Sequence, residues 1–480
     1  MNASPVTFHR RSADALANPA LSATLQRLTG RVLVAREAAL ERLPDADAWR
    51  DRARAIRAHT IAHLDRYLDE FCQNVEARGG HVHYAATAAD AVQFVRELAA
   101  ARGLKLAVKS KSMISEEISL NEHLEQAGVR VVETDLGEYV VQLAHDHPSH
   151  IVMPIIHMTQ QDVATLFRKE IRATDADVAD VASMTALARR VLRSEFLNAD
   201  LGISGVNFGV ASTGSIAIST NEGNGRLVTT LPRVHVAFMG IERLVPTPGD
   251  LAVMWQVLGR SATGQNITVY SNVITGPRPK GPNGPEADGP DELHIVLLDN
   301  GRSRLLGTEI AEILYCIRCG ACLNACPVYQ QIGGHAYGSV YPGPVGAVLT
   351  PGLAGLEAFH DLPHASSLCG ACREVCPVRI DIPRMLLKLR EDGVKAGHSP
   401  AWIGFGLGMY RRAAVRPALF RAAGTLSAWA TRLLSRKGWI TSLPGPLAGW
   451  TQSRDFPAMA SDSFMDRWKR RKPGARSDAR

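Results

Sequence analysis

The chain has 480 residues, of which 46% are hydrophobic and 21% charged, and its mean hydropathy is −0.05. This length is typical of two or three domains that each bury a core. No stretch approaches the roughly 18 consecutive apolar residues that a membrane-spanning helix needs, so we do not expect an integral membrane protein. Polar residues rather than an apolar stretch follow Arg10 and Arg11, which argues against an export signal and predicts a cytoplasmic location.

Positive charge is concentrated towards the C-terminal end. Residues 411–480 contain fifteen Lys or Arg and four Asp, a net charge of +11, whereas the whole chain carries +7. The preceding part is therefore net acidic. We expect the basic segment either to dock on an acidic partner or an anionic membrane surface, or to be a solvated tail. No nucleic-acid-binding module accompanies it.

The first part of the chain predicts helices, most clearly at 45–77, where Gly79 and Gly80 follow as a stop. Short apolar, β-branched runs then alternate with helical patterns. They predict strands at 106–108, 129–132, 139–143 and 151–156, with helices at 88–101 and 116–127. This alternation is typical of an α/β domain with a largely parallel sheet.

A second set of predicted strands follows a helix at 175–197. These strands lie at 206–211, 215–219, 234–239, 267–270 and 294–298, and the α/β domain ends near Gly301. Residues 276–290 hold five Pro and four Gly, which predicts an exposed loop. Helices are again predicted at 307–315 and 381–391, on either side of the cysteines.

Seven of the eight cysteines lie between positions 316 and 376, in two spaced runs. The runs are Cys316-x2-Cys319-x2-Cys322-x3-Cys326-Pro327 and Cys369-x2-Cys372-x3-Cys376-Pro377. Such runs bind [4Fe–4S] clusters, and the last cysteine of each run ligates the cluster of the other run. A tetrahedral zinc site is the alternative, but seven cysteines in two Cys-Pro runs fit zinc poorly. Cys72 stands alone on a predicted helix and is expected to be a buried apolar residue.

The crossed rule predicts two ligand sets. Cluster 1 takes Cys316, Cys319, Cys322 and Cys376, and cluster 2 takes Cys326, Cys369 and Cys372. When the runs are aligned on their Cys-Pro ends, Ser366 stands where the second run lacks a cysteine. One iron of cluster 2 then has an oxygen ligand, stays open, or is lost to give a three-iron cluster. The 42 residues between the runs, with helical flanks, favour a helical ferredoxin arrangement.

Polar residues at predicted strand ends are candidate ligand-binding features of the α/β domain. Segments 109–113 and 133–138 follow strands, where open α/β sheets bind ligands, although solvated loop charges give the same pattern. The turn at 212–215 can hold a phosphate or carboxylate, or can simply be a tight turn. No G-x-G-x-x-G follows a predicted strand and no P-loop occurs, so we expect no flavin or nicotinamide site.

These features together resemble the lactate-utilization protein B family, the iron–sulfur member of a three-protein system that oxidises L-lactate. The resemblance rests on segments 109–113, 133–138 and 212–215 and on both cysteine runs, and it covers nearly the whole chain. It implies an N-terminal helical segment (1–78), then a LUD domain of the NagB/RpiA/CoA-transferase-like α/β fold (79–303). An α-helical ferredoxin domain with two [4Fe–4S] clusters (304–395) and a basic C-terminal helical segment (396–480) follow.

The resemblance implies an electron-transfer subunit without catalytic residues, which relays electrons from a partner to an acceptor as L-lactate becomes pyruvate. Its partners would be the A- and C-type lactate-utilization proteins. The alternative is a CoA-transferase-like enzyme whose clusters are structural or regulatory, because Asn221-Glu222-Gly223 faintly resembles a glutamate-nucleophile motif. A redox sensor would need an output domain, which we do not recognise in the sequence.

Overall fold

The computed structural model describes residues 6–281, 284–285, 288–399, 401–445, 448–451 and 454–471. The chain forms two compact units, Met1–Ala396 and Gly397–Arg480.

The first unit begins with helices α1 (Phe8–Leu16), α2 (Pro19–Glu41), α3 (Ala46–Ala62) and α4 (Leu64–Ala77). The Asn18 side chain caps α2 by accepting a hydrogen bond from the Leu21 N–H. Pro19 is the first residue of α2, where the backbone N–H that proline lacks would have no partner within the helix. The single helix predicted at 45–77 is two helices. They separate because the backbone at His63 leaves the helical conformation (φ −126°, ψ 37°).

An α/β region with two main sheets follows. Its strands are β1 (His81–Ala85), β2 (Leu106–Lys109), β3 (Arg130–Glu133), β4 (Leu201–Gly205), β5 (Phe208–Val210), β6 (Ser215–Thr220), β7 (Val234–Gly240), β8 (Leu244–Val245), β9 (Tyr270–Ile274), β10 (Lys280–Gly281), β11 (Gly284–Pro285) and β12 (Glu292–Leu298). Its helices are α5 (Ala88–Arg102), α6 (Met113–Glu117), α7 (Leu120–Gln126), α8 (Leu136–Leu143), α9 (Gln160–Glu170), α10 (Val181–Asn198), α11 (Asn224–Thr230) and α12 (Pro248–Thr263).

The larger sheet is entirely parallel, with strand order β1-β12-β7-β4-β2-β3. Strand β7 is buried along its whole length, as expected of a central strand covered on both faces. The smaller sheet has the order β8-β5-β6-β9 and is mixed. The predicted α/β class with a largely parallel sheet is therefore confirmed.

Two predicted strands are wrong. Residues 139–143 belong to α8, which the Asp135 carboxylate caps by accepting hydrogen bonds from the N–H groups of Gly137 and Glu138. The apolar run there is the buried face of a helix, because its side chains pack in the core beside the sheet. Residues 151–156 form turns around Pro154, which has no N–H to donate to a strand ladder.

Strands β1 and β4 of the larger sheet were not predicted, and neither were the two-residue strands β8, β10 and β11 or the two-residue strands of the second unit. Strand β1 lies at a sheet edge and only its Ala85 is buried, so its residues are not a continuous apolar run. In β4 a Cβ on Gly202 would lie 2.0 Å from the Val228 carbonyl oxygen, so the close approach of α11 requires glycine. The strand predicted at 267–270 begins only at Tyr270. Residues 282–283 and 286–287 of the predicted loop lie outside the described residues, and the short strands β10 and β11 pair within it.

The cysteine region contains α13 (Ala321–Asn324), α14 (Tyr329–Ile332), α15 (Gly343–Ala354), α16 (Leu356–Phe359), α17 (Ala371–Glu374) and α18 (Ile382–Lys395). The helix predicted at 307–315 is only a 3-10 turn, Ala311–Tyr315. Buried side chains of this region share one core with the N-terminal helices and with α12, for example Tyr329 with Leu25 and Met254. The cysteine region is thereby packed firmly on the α/β region.

The second unit consists of α19 (Ala401–Ala414), α20 (Pro417–Leu434), α21 (Ala448–Thr451) and α22 (Phe464–Arg470), with a short pair of strands, β13 (Trp439–Ile440) and β14 (Phe456–Pro457). Large apolar side chains of α19 and α20 are exposed, including Trp402, Phe405, Phe420 and Trp429. Among the described helices of the whole chain, none combines the length and apolarity needed to cross a bilayer.

Candidate metal centres and an adjoining cavity

The two cysteine runs repeat the same backbone turn. The residue before Cys319 and the glycine after it have positive φ (Arg318 58°, Gly320 76°), and so do the residues on either side of Cys369 in the second run (Leu368 56°, Gly370 88°). Each glycine then starts a short helix, α13 or α17. This turn directs the N–H of Ala321 at the sulfur of Cys319 and the N–H of Ala371 at the sulfur of Cys369. Both runs are therefore shaped to present sulfur together with backbone donors.

The first cysteine group contains Cys316, Cys319, Cys322 and Cys376, which interact electrostatically and line one small cavity closed by apolar side chains. Burial raises the pKa of Cys319 to about 12 and that of Cys376 to about 11. Thiolates are thus costly here unless a positive charge compensates them. An iron–sulfur core bound by the four sulfurs supplies that charge, so the donor set fits a cubane cluster.

The second cysteine group contains Cys326, Cys369 and Cys372. Cys372 interacts with both of the others, and Cys322 of the first group interacts with Cys372, so the two groups are neighbours. Burial raises the pKa of Cys372 to about 12. Cys369 is exposed, and the N–H of Ala371 lowers the pKa of its thiol. The second group therefore reaches the protein surface.

Ser366 occupies the position in the second run that Cys316 has in the first. Its Oγ accepts a hydrogen bond from the Leu368 N–H at 3.1 Å, and the Cys316 sulfur accepts one from the Arg318 N–H at 3.4 Å. The repeated turn thus includes the same side-chain contact with oxygen in place of sulfur. The neighbouring Ser367 is exposed, and its side chain forms a hydrogen bond with Cys369.

Five arginines surround the first cysteine group, and four of them donate hydrogen bonds to carbonyl oxygens beside the cysteines. These bonds run from Arg243 to Cys316 (2.8 Å), Arg50 to Cys376 (3.0 Å), Arg36 to Val375 (2.9 Å) and Arg57 to Leu314 (2.9 Å). The fifth, Arg318, interacts electrostatically with Cys316. These cations offset the negative charge of a thiolate-bound cluster.

A cavity of about 390 Å³ adjoins the first cysteine group. The strand ends of the parallel sheet form one side, with Lys111 after β2 and Asn207 after β4. Arg318, Cys319 and Tyr341 of the cysteine region form another part of the wall. Carboxyl ends of parallel strands meet at one edge, which is where α/β sheets bind ligands.

The polar strand-end residues singled out in the sequence divide between the cavity wall and a buried layer behind it. Lys111 and Asp135 line the cavity. Lys109 is buried behind it, with its Nζ 2.5 Å from a carboxylate oxygen of Glu133. Glu138 lies 3.3 Å from the Nζ of Lys111, and burial raises the pKa of Glu138 to about 7. These charges are therefore not solvated loop charges.

Two other features lie elsewhere. The turn at 212–215 packs against α4, where a Cβ on Gly214 would lie 2.4 Å from the Val75 nitrogen. Gly214 therefore serves a close backbone approach, and the turn does not line the described cavity. Cys72 is half-buried on α4 and packs against the core around Phe71.

Sequence reasoning missed the arginines and tyrosine of the cavity. Arg302 pairs with Glu117 at 2.7 Å and with Glu242 at 2.8 Å, and Tyr341 donates a hydrogen bond to Glu117 at 2.6 Å. Burial alone would raise the pKa of Glu117, but Arg302 outweighs it and lowers that pKa to about 2. These side chains come from separate segments, so no local pattern connects them. A signal was available only for Arg318, which lies inside the first cysteine run.

The two groups of closely spaced cysteines, held on loops that pack against a parallel α/β region, place the chain in the class of iron–sulfur proteins. Family comparisons agree with this class. Residues 68–298 match the LUD domain, residues 312–380 match the 4Fe-4S dicluster domain, and residues 388–473 match "Lactate utilisation protein B, C-terminal".

The chain belongs to the lactate utilization protein B family, as the sequence analysis predicted. It is 44% identical to lactate utilization protein B of Geobacillus kaustophilus over 97% of each chain. It is 45% identical to that of Bacillus licheniformis over 96% of this chain and 95% of the relative. For the relative in Macrococcus caseolyticus the identity is 46%, over 93% of this chain and 92% of the relative. A crystal structure of a DUF162 family protein from Deinococcus radiodurans covers 49% of this chain and 98% of its own at 11% identity, but its TM-score of 0.27 supports no conclusion.

Proposed function

We propose that the chain is the electron-transfer component of a system that oxidises L-lactate to pyruvate, relaying electrons from a partner subunit to an acceptor. The names of the relatives supply the lactate role. The observation that carries the relay is that two cysteine groups lie side by side in one core at different depths. The first lies beside the cavity and has no exposed cysteine, and the second reaches the surface at Cys369. Each [4Fe–4S] cluster, when bound, gains or gives up one electron.

The proposal includes the crossed ligand sets. Cys316, Cys319, Cys322 and Cys376 would hold cluster 1, and Cys326, Cys369 and Cys372 would hold cluster 2. The electrostatic neighbours support this division, since Cys376 interacts with Cys316 and Cys372 interacts with Cys326. Oxidation of L-lactate to pyruvate releases two electrons and two protons, and two one-electron centres can hold both electrons.

The proposal also includes the domain assignment. A helical segment (1–78) precedes a LUD domain of the NagB/RpiA/CoA-transferase-like fold (79–303), a helical ferredoxin domain (304–395) and the basic C-terminal segment (396–480). The parallel sheet, the cysteine loops held on short helices, and the boundary between the two compact units after Ala396 support it.

The proposed partners are the A- and C-type lactate-utilization proteins, in the cytoplasm. The C-terminal segment supports a docking role towards an acidic partner or an anionic membrane surface, because it combines exposed aromatic side chains on α19 and α20 with a net charge of +11 at 411–480. Deletion after Ser399 should leave both clusters in place and weaken capture of the two partner proteins. High salt should have the same effect on the intact chain, and capture that survives the deletion would count against docking.

The relay is tested by anaerobic reconstitution of the chain with iron and sulfide, followed by mixing with the A- and C-type proteins. L-lactate should then produce the EPR signals of reduced clusters, whereas D-lactate should not. The Cys319→Ala variant serves as the control for loss of cluster 1, because Cys319 interacts with Cys316 and Cys376 of its own group. An absence of cluster reduction in the complete wild-type mixture would contradict the relay.

A CoA-transferase-like enzyme is the second candidate, because Glu222 lies in the wall of the cavity. A nucleophilic role predicts acyl-CoA exchange by the purified chain and its loss in Glu222→Gln. A pure electron carrier shows no exchange in either protein.

A further inference from the structure

The cavity between the α/β region and the first cysteine run has the size and wall of a small-molecule site. Its volume of about 390 Å³ is within the usual range for such pockets. One part of the wall is apolar and includes Met113, Ile151, Met153 and Phe238, and another carries the amides and hydroxyls of Asn207, Ser219, Thr220 and Asn224. A ligand with a short apolar body and a polar end would match both parts.

Two cations in this wall have donors that the described residues do not use. The Nζ of Lys111 is buried and forms an ion pair with a Glu138 oxygen 3.3 Å away, and the other N–H donors of this ammonium group have no acceptor among the described residues. Arg318 has its Nη2 3.4 Å from Glu242, while its Nη1 is buried without a hydrogen-bond partner. Buried charged donors need acceptors, and a carboxylate satisfies an ammonium and a guanidinium together.

The other two cationic side chains of the wall already have acceptors. Arg302 is held between Glu117 and Glu242, and Arg243 donates to the Cys316 carbonyl. A carboxylate in the cavity therefore has Lys111 and Arg318 as its available partners.

An acceptor is also available in the wall. The Oδ1 of Asn224 is buried without a hydrogen-bond partner, whereas its Nδ2 lies 3.4 Å from the Thr134 hydroxyl. A hydroxyl group next to the carboxylate of a ligand can donate to this oxygen. Two unused cationic donors and one unused acceptor match a carboxylic acid with a hydroxyl group at its second carbon.

We propose that this cavity binds a small 2-hydroxy or 2-oxo acid through its carboxylate on Lys111 and Arg318, and that the hydroxyl of the 2-hydroxy acid donates to the Oδ1 of Asn224, a bond that the 2-oxo acid lacks. The choice of L-lactate and pyruvate as the acids rests on the proposed function. Because Cys319 lies in the same wall, the bound acid is placed against the first cysteine group. The inference concerns binding and assigns no chemical step to this chain.

The test measures binding of L-lactate and of pyruvate to the full-length chain by equilibrium dialysis, with the neutral amide lactamide as a further probe. At least one acid should bind saturably and lactamide should not, because it lacks the carboxylate. Lys111→Met should weaken binding about tenfold or more through loss of a charged contact. Lys105→Met is the matched control, since Lys105 is exposed just before the opposite end of the same strand, β2, and its removal should leave binding unchanged.

A second variant keeps the test decisive if Lys111→Met does not fold. Asn224→Asp is nearly isosteric and puts a negative charge in the wall that repels a bound carboxylate, so a folded variant with the iron content of wild type should also bind about tenfold more weakly. The inference is overturned if neither acid binds saturably up to millimolar concentrations, or if a folded Lys111→Met or Asn224→Asp binds as wild type does.

The outcomes separate this inference from the proposed function. Clusters that L-lactate reduces through the partner proteins, in a chain that binds neither acid, would leave the relay standing and remove the acid site. Binding that depends on Lys111, in a chain whose clusters the partners do not reduce, would support the acid site and remove the relay.

Discussion

The two cysteine groups share a loop design but differ in everything that surrounds it. The first group has buried or half-buried cysteines only, with five arginines around it and a cavity beside it. The second group has an exposed cysteine, and its sulfurs interact with one another, with backbone N–H groups and with the Ser367 side chain. A repeated motif thus sets the ligand geometry, while the rest of the chain sets the environment. In the proposed relay the first group faces the interior cavity and the second faces an external partner.

The largest expected effect tests whether the groups are divided as proposed. Cys376→Ala should lose cluster 1, and Cys372→Ala should lose cluster 2, although both cysteines belong to the second run. Each variant should retain about half of the iron, because each removes a corner of a different cubane. Iron and sulfide analysis together with anaerobic EPR measures this. If Cys376→Ala instead removes the cluster held by Cys369 and Cys372, the crossed ligation is wrong.

The next effect tests whether the exposed group is the labile one. Cluster 2 has three thiolates and lies at the surface, so brief exposure to air should remove one iron and give the EPR signal of an oxidised three-iron cluster. Ser366→Cys should suppress this signal, because Ser366 repeats the backbone contact of Cys316 and can place a thiolate at the missing corner. The four-cysteine cluster should persist.

Ser194→Cys is the matched control for this experiment. It adds a thiol at an exposed position of α10, whose buried residues pack in cores that contain none of the seven proposed cluster cysteines. Its three-iron signal should equal that of the wild type. Loss of both clusters at the same rate in wild type, without a three-iron signal, would show that the open corner is protected and that burial does not distinguish the two groups.

The cysteine groups could be predicted from the sequence because their spacing is local, whereas their surroundings could not. The arginine that contacts the Cys316 carbonyl is 73 residues away in the chain, and the bond from Arg57 to Leu314 spans 257 residues. The sheet was largely predictable because central parallel strands are continuous apolar runs. The same reasoning failed at 139–143 and 151–156, where apolar residues are buried by a helix and by turns, and periodicity cannot separate such short runs.

The smallest expected effect tests whether the arginines around the first cysteine group make the midpoint potentials of the two clusters different. Arg36 is buried, interacts with Cys319 and Cys376, and donates to the Val375 carbonyl at 2.9 Å. Its positive charge favours the reduced, more negative state of a cluster, so Arg36→Gln should lower the midpoint potential of cluster 1 by roughly 50 mV. Arg373→Gln is the control in the second run, because Arg373 is 59% exposed and paired with Asp381. Solvent screening should limit its effect on either cluster to about 10 mV.

An EPR-monitored redox titration measures both potentials, and Cys372→Ala identifies the signal of cluster 1. Iron content equal to that of wild type is required of both arginine variants, so that a shift reflects charge rather than cluster loss. If the two substitutions shift the potentials equally, the arginines around the first group serve to hold backbone carbonyls rather than to set the potential. The guanidinium of Arg36 in the core would then have no larger electrostatic effect than that of Arg373 at the surface. The two cysteine groups would differ only in how exposed their cysteines are.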